Sequence, residues 1–150
     1  MKKFLLAVTF FLPTFCMAQQ SDLSVRDALK LMPDSLVPYL SLNNRLDMVD
    51  FMDAKMRAAV DNSLGGESEM TFLSDDSLAI MLNETSMLSM KVVAKDTSLV
   101  IVLHRRYQTK RNQYELVTQT FDSYWHPLSK PVAVSTLLKR DDEVKNLPHF

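Results

Sequence analysis

The stretch SLAIMLNETSMLSMKVV, residues 77–93, decides the fold class. In its first half Leu78, Ile80 and Leu82 recur at every second position, and in its second half Leu88, Met90 and Val92 do the same. A period of two puts each trio on one face of a strand, because successive side chains of an extended chain point to opposite sides. Asn83, Glu84 and Thr85 between the runs form a joint of turn-forming residues, too short for anything but an antiparallel hairpin. The same alternation predicts strands over 69–74, 98–107 and 113–124, joined through Asp75-Asp76, Lys95 to Thr97 and Lys110 to Asn112. An antiparallel meander of about five strands follows. The run Leu99 to Leu103 is apolar on both faces, which places it centrally, its second side covered by the N-terminal helices, the tail or a partner subunit.

Upstream of the sheet the period is helical. Ser24 with Asp27 three residues later forms a capping box that starts a short helix at Val25 and turns Leu29 and Met32 inward, and Pro33 ends it. Residues 34–40 form a second turn or short helix, interrupted at Pro38. Asn44 is then expected to cap the longest helix, 45–63, whose stripe of Val49, Met52, Met56, Ala59 and Val60 is widened by Leu46, Met48 and Phe51. Gly65 suits the left-handed residue that closes such a helix. Beyond Trp125, Pro127 and Pro131 break regularity, and Ser135 caps a last helix through Leu137, Leu138 and Val144. The expectation is one α+β domain over 19–150, helical at 24–64, sheet at 67–128 and irregular or helical at 129–150.

Composition excludes much chemistry. The 150 residues include two glycines, Gly65 and Gly66, where an average globular chain would carry roughly ten. Dinucleotide fingerprints, phosphate-cradling loops and glycine-flanked nucleophile elbows all need several spaced glycines, so no nucleotide or other cofactor is expected. One cysteine, Cys16, permits neither a disulfide framework nor a Cys-based zinc site. Seventeen basic against eighteen acidic side chains give no field that argues for nucleic acid.

The amino terminus reads as an export signal. Lys2 and Lys3 precede an apolar run from Phe4 to Phe15, and Ala18 precedes polar Gln19. The run falls short of the about 20 apolar residues a membrane span needs, and it contains Pro13. Cleavage at Ala18-Gln19 leaves 132 residues with no cysteine, 15 basic and 18 acidic side chains, no membrane span, and a location in the periplasm or outside the cell. Cys16 raises a lipid-anchor alternative, which Phe15 opposes because the residue before a lipidated cysteine is small. Without disulfides, the exported domain must rest on its hydrophobic core, and a chain of this size buries about two-thirds of its unfolded surface.

Four groups of residues invite a chemical role. Asp47, Asp50 and Asp53 stand three apart, but three residues turn a helix by about 300°, so the outer pair cannot share an ion. They complement the helix dipole, and Asp53 can pair with Arg57. The segment Asp61 to Glu69 has the glycine of a calcium loop but lacks its carboxylates, and Phe72 stands where the bidentate Glu belongs; no metal site is expected. His104, Arg105, Arg106, Lys110 and Arg111 form the only basic cluster, in a chain whose residues 19–76 carry −6 and 77–150 carry +3. Such a hairpin tip suits an anionic glycan, a phosphate or an acidic partner; charge that keeps a strand end soluble is the plainer reading. Trp125, in the run Tyr124 to Pro127, is either a stacking platform for a sugar or part of the core. His126 and His149 lie in proline-flanked segments and share no catalytic spacing with His104. The eight methionines of the exported chain suit a helix-on-sheet core.

MPDSLVPYL at 32–40, NNRLDMVDFMD at 43–53, NSLGG at 62–66 and DSYWHPL at 122–128 resemble an uncharacterised family of secreted proteins from Bacteroides-like bacteria. The resemblance spans most of the exported chain, implies an envelope location and a domain that continues beyond Phe150, and supplies no activity. Two functional expectations stand together. One is a non-enzymatic binding or interaction module, whose envelope-protein or glycan partner sits on the concave face of the sheet or its basic tip. The other is a small envelope enzyme or enzyme inhibitor with acid residues in a cavity between helix and sheet. The first is favoured by the strand joints, built from Asp, Asn, Lys and Ser, which leave few flexible loops for an active site.

Overall fold

A computed structural model describes residues 23–95, 98–110 and 113–137, with backbone alone over 132–137. The expected leader, the turn residues 96–97, Arg111 and the tail from 138 lie outside the described residues. Helix α1 (Val25–Leu31) starts as its sequence dictates: Ser24 Oγ accepts the Asp27 N–H. Its Val25 N–H donates to the Asp75 carbonyl at 3.1 Å, fixing the helix start to the sheet. A single 3₁₀ turn (Asp34–Leu36) leads to α2 (Leu42–Asp53). The cap of α2 is Ser41, three residues earlier than expected, with Asn44 closing the capping box from N3.

The expected helix over 45–63 is corrected by the structure. α2 stops at Asp53, and the residues after it form strand β1 (Ala58–Asp61). Lys55 adopts φ +57, the Lys55 N–H donates to Met52 O at 3.0 Å, and the Met56 N–H donates to Phe51 O at 2.8 Å. These are the two bonds of a Schellman stop, made with a lysine where glycine is usual. Gly65, at φ +81, turns the β1–β2 hairpin instead of closing a helix.

Strands β2 (Glu67–Leu73), β3 (Ser77–Asn83), β4 (Ser86–Lys95), β5 (Ser98–Lys110) and β6 (Gln113–Asp122) follow the predicted meander closely. Where a last helix was expected to start at Ser135, residues Val132–Leu137 form strand β7, paired antiparallel to β6, and the rest of that expected helix, from 138 on, lies outside the described residues. Among the described residues seven antiparallel strands, against the expected five or so, lie in chain order from β1 to β7.

The two trios that decide the fold class, Leu78-Ile80-Leu82 and Leu88-Met90-Val92, are buried together with Ile101 and Leu103. α1 and α2 cover that face with Val25, Ala28, Leu29 and Met48, which join the strand residues in one buried hydrophobic cluster. Met56 is 59% exposed, because the stripe it was expected to extend ends with the helix.

Candidate functional site

The pleat divides the basic cluster. Ile101 and Leu103 face the helices, so Arg105 and Tyr107 share their side, opposite buried Leu88 and half-buried Val117 for Arg105. His104 and Arg106 point to the other face, which no described helix covers. Lys110 stands exposed past a register shift at the hairpin end, and Arg111 lies outside the described residues. The expected tip of converging cations is thus not assembled: two of its members are on the open face and one is on the helix side.

Trp125 is not with them either. Its loop is a tight knot in which Asp122 Oδ1 accepts the N–H groups of Tyr124 and His126, each at 2.9 Å, and Trp125 takes φ +66. That conformation, strained for a bulky residue, turns the indole under α1. There its Nε1–H donates to the Ala28 carbonyl at 3.1 Å and its ring lies 5.1 Å from Phe121. Burial opposes ionisation of Asp122, yet the bonds from the His126 backbone and ring and the Tyr124 backbone outweigh it and hold its pKa low. Of the two readings of Trp125, the core one describes its position.

The open face across β3 to β6 is ordered in rows by the strand register. Met81, Met87, Arg106 and Leu116 form one row; Ala79, Ser89, His104 and Thr118 form the next; Ser77, Lys91, Val102 and Thr120 the third. Met81 is 43% exposed, and Met87, Val102 and Leu116 are half-buried. Arg106 therefore rises from an apolar surround. Beside it His104 Nδ1 shares a hydrogen bond with Thr118 Oγ1 at 2.8 Å, and partial burial pulls the imidazole pKa below its ordinary value. Of the carboxylates on these four strands, Glu115 belongs to the helix side and Asp122 is engaged in its turn. Lys91 pairs with Asp76 at 3.8 Å, and Arg106 is the cation at the centre of the open face.

The same face ends near β1 and β2 in an open groove of about 610 Å³, lined by Arg57, Glu67, Glu69, Met81 and Glu84. Arg57 reaches Glu67 at 2.9 Å and Glu69 at 3.1 Å. Its expected partner Asp53 pairs instead with Arg26, at 2.8 Å. Asp47, Asp50 and Asp53 do not converge, and among the described residues no group of three or more His, Cys, Asp or Glu can hold a metal ion.

Two polar side chains that carried no signal in the periodicity turn out to matter for architecture. Arg45 is buried, its guanidinium donating to the Met32 carbonyl at 2.7 Å and to Asp34 at 2.6 Å. Asn62 is buried within the β1–β2 turn.

No curated protein matches the chain. A solved domain of an uncharacterized protein from Porphyromonas gingivalis W83 has a similar fold, with a TM-score of 0.59 at 18% sequence identity, covering 71% of this chain. The match spans 54% of that solved chain, and at this identity it speaks to fold alone. Residues 18–144 match the family described as "Protein of unknown function (DUF3256)", and the chain belongs to that family.

Proposed function

We propose that this is an exported, non-enzymatic binding module whose partner, an envelope protein, docks on the open face of the sheet. The observation that carries this reading is the row Met81, Met87, Arg106 and Leu116, in which a cation stands among partly exposed apolar side chains on a face no described element covers. Contiguous apolar surface around a charge is how protein interaction sites are commonly built. The positive centre selects a segment that offers a carboxylate beside apolar side chains. The buried cluster between helices and sheet is hydrophobic throughout, which supports binding over catalysis, since the enzyme reading places acid residues there. Export is supported by the leader pattern of residues 1–18, and among the described residues no helix is long and apolar enough to cross a membrane.

The split of the cluster makes the test sharp. Arg106→Glu reverses charge on the open face, while Arg105→Glu makes the same change one residue away on the helix side. In pull-downs from an envelope extract, a partner retained by Arg105→Glu and lost by Arg106→Glu is expected; equal capture by both would refute the open-face site. N-terminal sequencing of the native protein is expected to begin at Gln19, and a start at Met1 would remove the export reading.

A further inference from the structure

One row of the open face crosses six strands. From β1 to β6 the register sets Ala59, Glu69, Met81, Met87, Arg106 and Leu116 side by side. All six point away from the helices, because each alternates with residues on the helix side, as Glu69 does with buried Ser68 and Met70. Read from either end, the row has the same polarity and the opposite charge: an aliphatic side chain, an ion, a methionine. Glu67 and Glu69 share the guanidinium of Arg57, at 2.9 and 3.1 Å, so the two carboxylates keep a net negative charge. Among the described residues no ion pair holds Arg106. Within one chain Glu69 and Arg106 do not meet, since three strand spacings, about 14 Å, separate them. The next row, Phe72, Ala79, Ser89 and His104 over β2 to β5, has the same form, with rings at both ends and small side chains between.

We propose that the open face packs against the open face of a second copy of this chain, about a two-fold axis that runs along the strands between β3 and β4. That operation lays β1 over β6 of the second copy, β2 over β5 and β3 over β4, and keeps every row over itself. Glu69 then faces Arg106 of the second copy and Arg106 faces its Glu69, while Met81 lies over Met87 and Ala59 over Leu116. In the next row Phe72 lies over His104 and Ala79 over Ser89. In the third, Lys91 lies over Ser77, beside Asp76 and not over another lysine. The match belongs to this axis: moved by half a strand spacing onto β4, it would set Met81 over Arg106 and Glu69 over Leu116. Sheets packed face to face lie about 10 Å apart with their strands within about 30° of one another, a gap that a glutamate and an arginine can close between them. Three rows across six strands cover about 29 Å by 17 Å, so the two copies together bury about 1,000 Å², the size at which a specific interface begins. The inference goes beyond the docking of an envelope protein, which would have to displace the second copy from the same face.

For the test the protein is produced from its whole sequence and purified as the cell processes it. Light scattering after gel filtration at about 100 μM is expected to give twice the chain mass for the native protein and for Arg105→Glu, which changes charge on the helix side. Glu69→Arg and Arg106→Glu, each with unchanged far-ultraviolet circular dichroism, are expected to give the single-chain mass, because each sets like charges face to face twice in a dimer. An equimolar mixture of these two variants is expected to return to the double mass, since both contacts then join opposite charges. If either reversal fails to fold, Glu69→Gln and Arg106→Gln take their place, each expected to raise the dimer dissociation constant about tenfold or more. A native chain that is monomeric at about 100 μM overturns the proposal, whatever covers the face, and leaves the envelope-partner reading to its own pull-down. A dimer that neither reversal weakens, nor either neutral variant in their place, overturns it as well, as does a mixture that stays monomeric, since the copies would then meet elsewhere.

Discussion

Arg45 holds the turn between α1 and α2 together. It is 2% exposed, and a guanidinium is tolerated in such a place only when its donors are used. Two are, by the Met32 carbonyl and the Asp34 carboxylate, while Nε has no partner among the described residues. Asp34 is itself largely in water, so removing the arginine strands no buried anion, and the main loss is the pair of charge-assisted bonds. Arg45→Met, which keeps most of the volume, is therefore expected to lower stability by about 1–3 kcal/mol in urea unfolding. Arg45→Lys is expected to fall between, since one ammonium cannot reproduce the fork that spans both oxygens. A stability within about 0.5 kcal/mol of native for Arg45→Met would show that the bonds are not net favourable.

The β1–β2 hairpin depends on one side chain in the same way. Asn62 Nδ2 donates to Ser68 Oγ at 3.0 Å and to the Leu82 carbonyl at 3.2 Å, while its Oδ1 accepts the N–H groups of Leu64 at 3.0 Å and Gly66 at 3.3 Å. Both ends of the amide are thus used, and Asn62→Asp is expected to be worse than Asn62→Ala. The alanine leaves donors and acceptors unpaired, for about 1–3 kcal/mol, whereas the aspartate also sets a carboxylate against the Leu82 carbonyl in a buried place. Chemical unfolding of the two variants at pH 7 gives the order directly, and the reverse order would contradict the assigned amide orientation.

This hairpin is also where sequence and structure part. Strong alternation at 77–93 carries long-range consequences, because an apolar face must be buried, and the meander could be read from it. The stop of α2 rests on Lys55 in a left-handed conformation, a backbone choice made by tertiary packing and unmarked by glycine or proline. The four residues of β1 are too few to establish a period. For the candidate site, the residue types of the basic cluster are legible in the sequence, and so is their division, since side-chain alternation alone sends Arg105 and Arg106 to opposite faces. Trp125 was ambiguous because only the knot at Asp122 turns it inward.

The molecule as a whole is a sheet coated on one side, and its response to pH follows from where its titratable groups sit on that sheet. His104 is half-buried on the open face, and burial disfavours its charged form, so its folded pKa lies below the value of about 6.5 expected in the unfolded chain. Below about pH 6.5 the unfolded chain therefore binds more protons at this position than the native one, and stability falls as pH drops through that range. Asp76 behaves differently. Hydrogen bonds from the Ser77 and Ser74 hydroxyls, aided by Lys91, hold its carboxylate below the ordinary range, and Asp122 is held low by its turn. Their contributions are present above about pH 4 and lost as pH falls through their lower folded values. Two separate losses are expected on acidification, the first setting in below about pH 6.5 and the second below about pH 4. His104→Asn, which keeps a polar side chain beside Thr118, is expected to reduce the first and leave the second in place. Thermal midpoints of native and variant at pH 7, 5 and 3.5 decide it: equal shifts between pH 7 and 5 would mean that His104 is not the group responsible. A partner that brings a carboxylate to Arg106 and His104 would favour the charged imidazole, so binding at the open face should tighten as pH falls through the same range in which the free protein weakens.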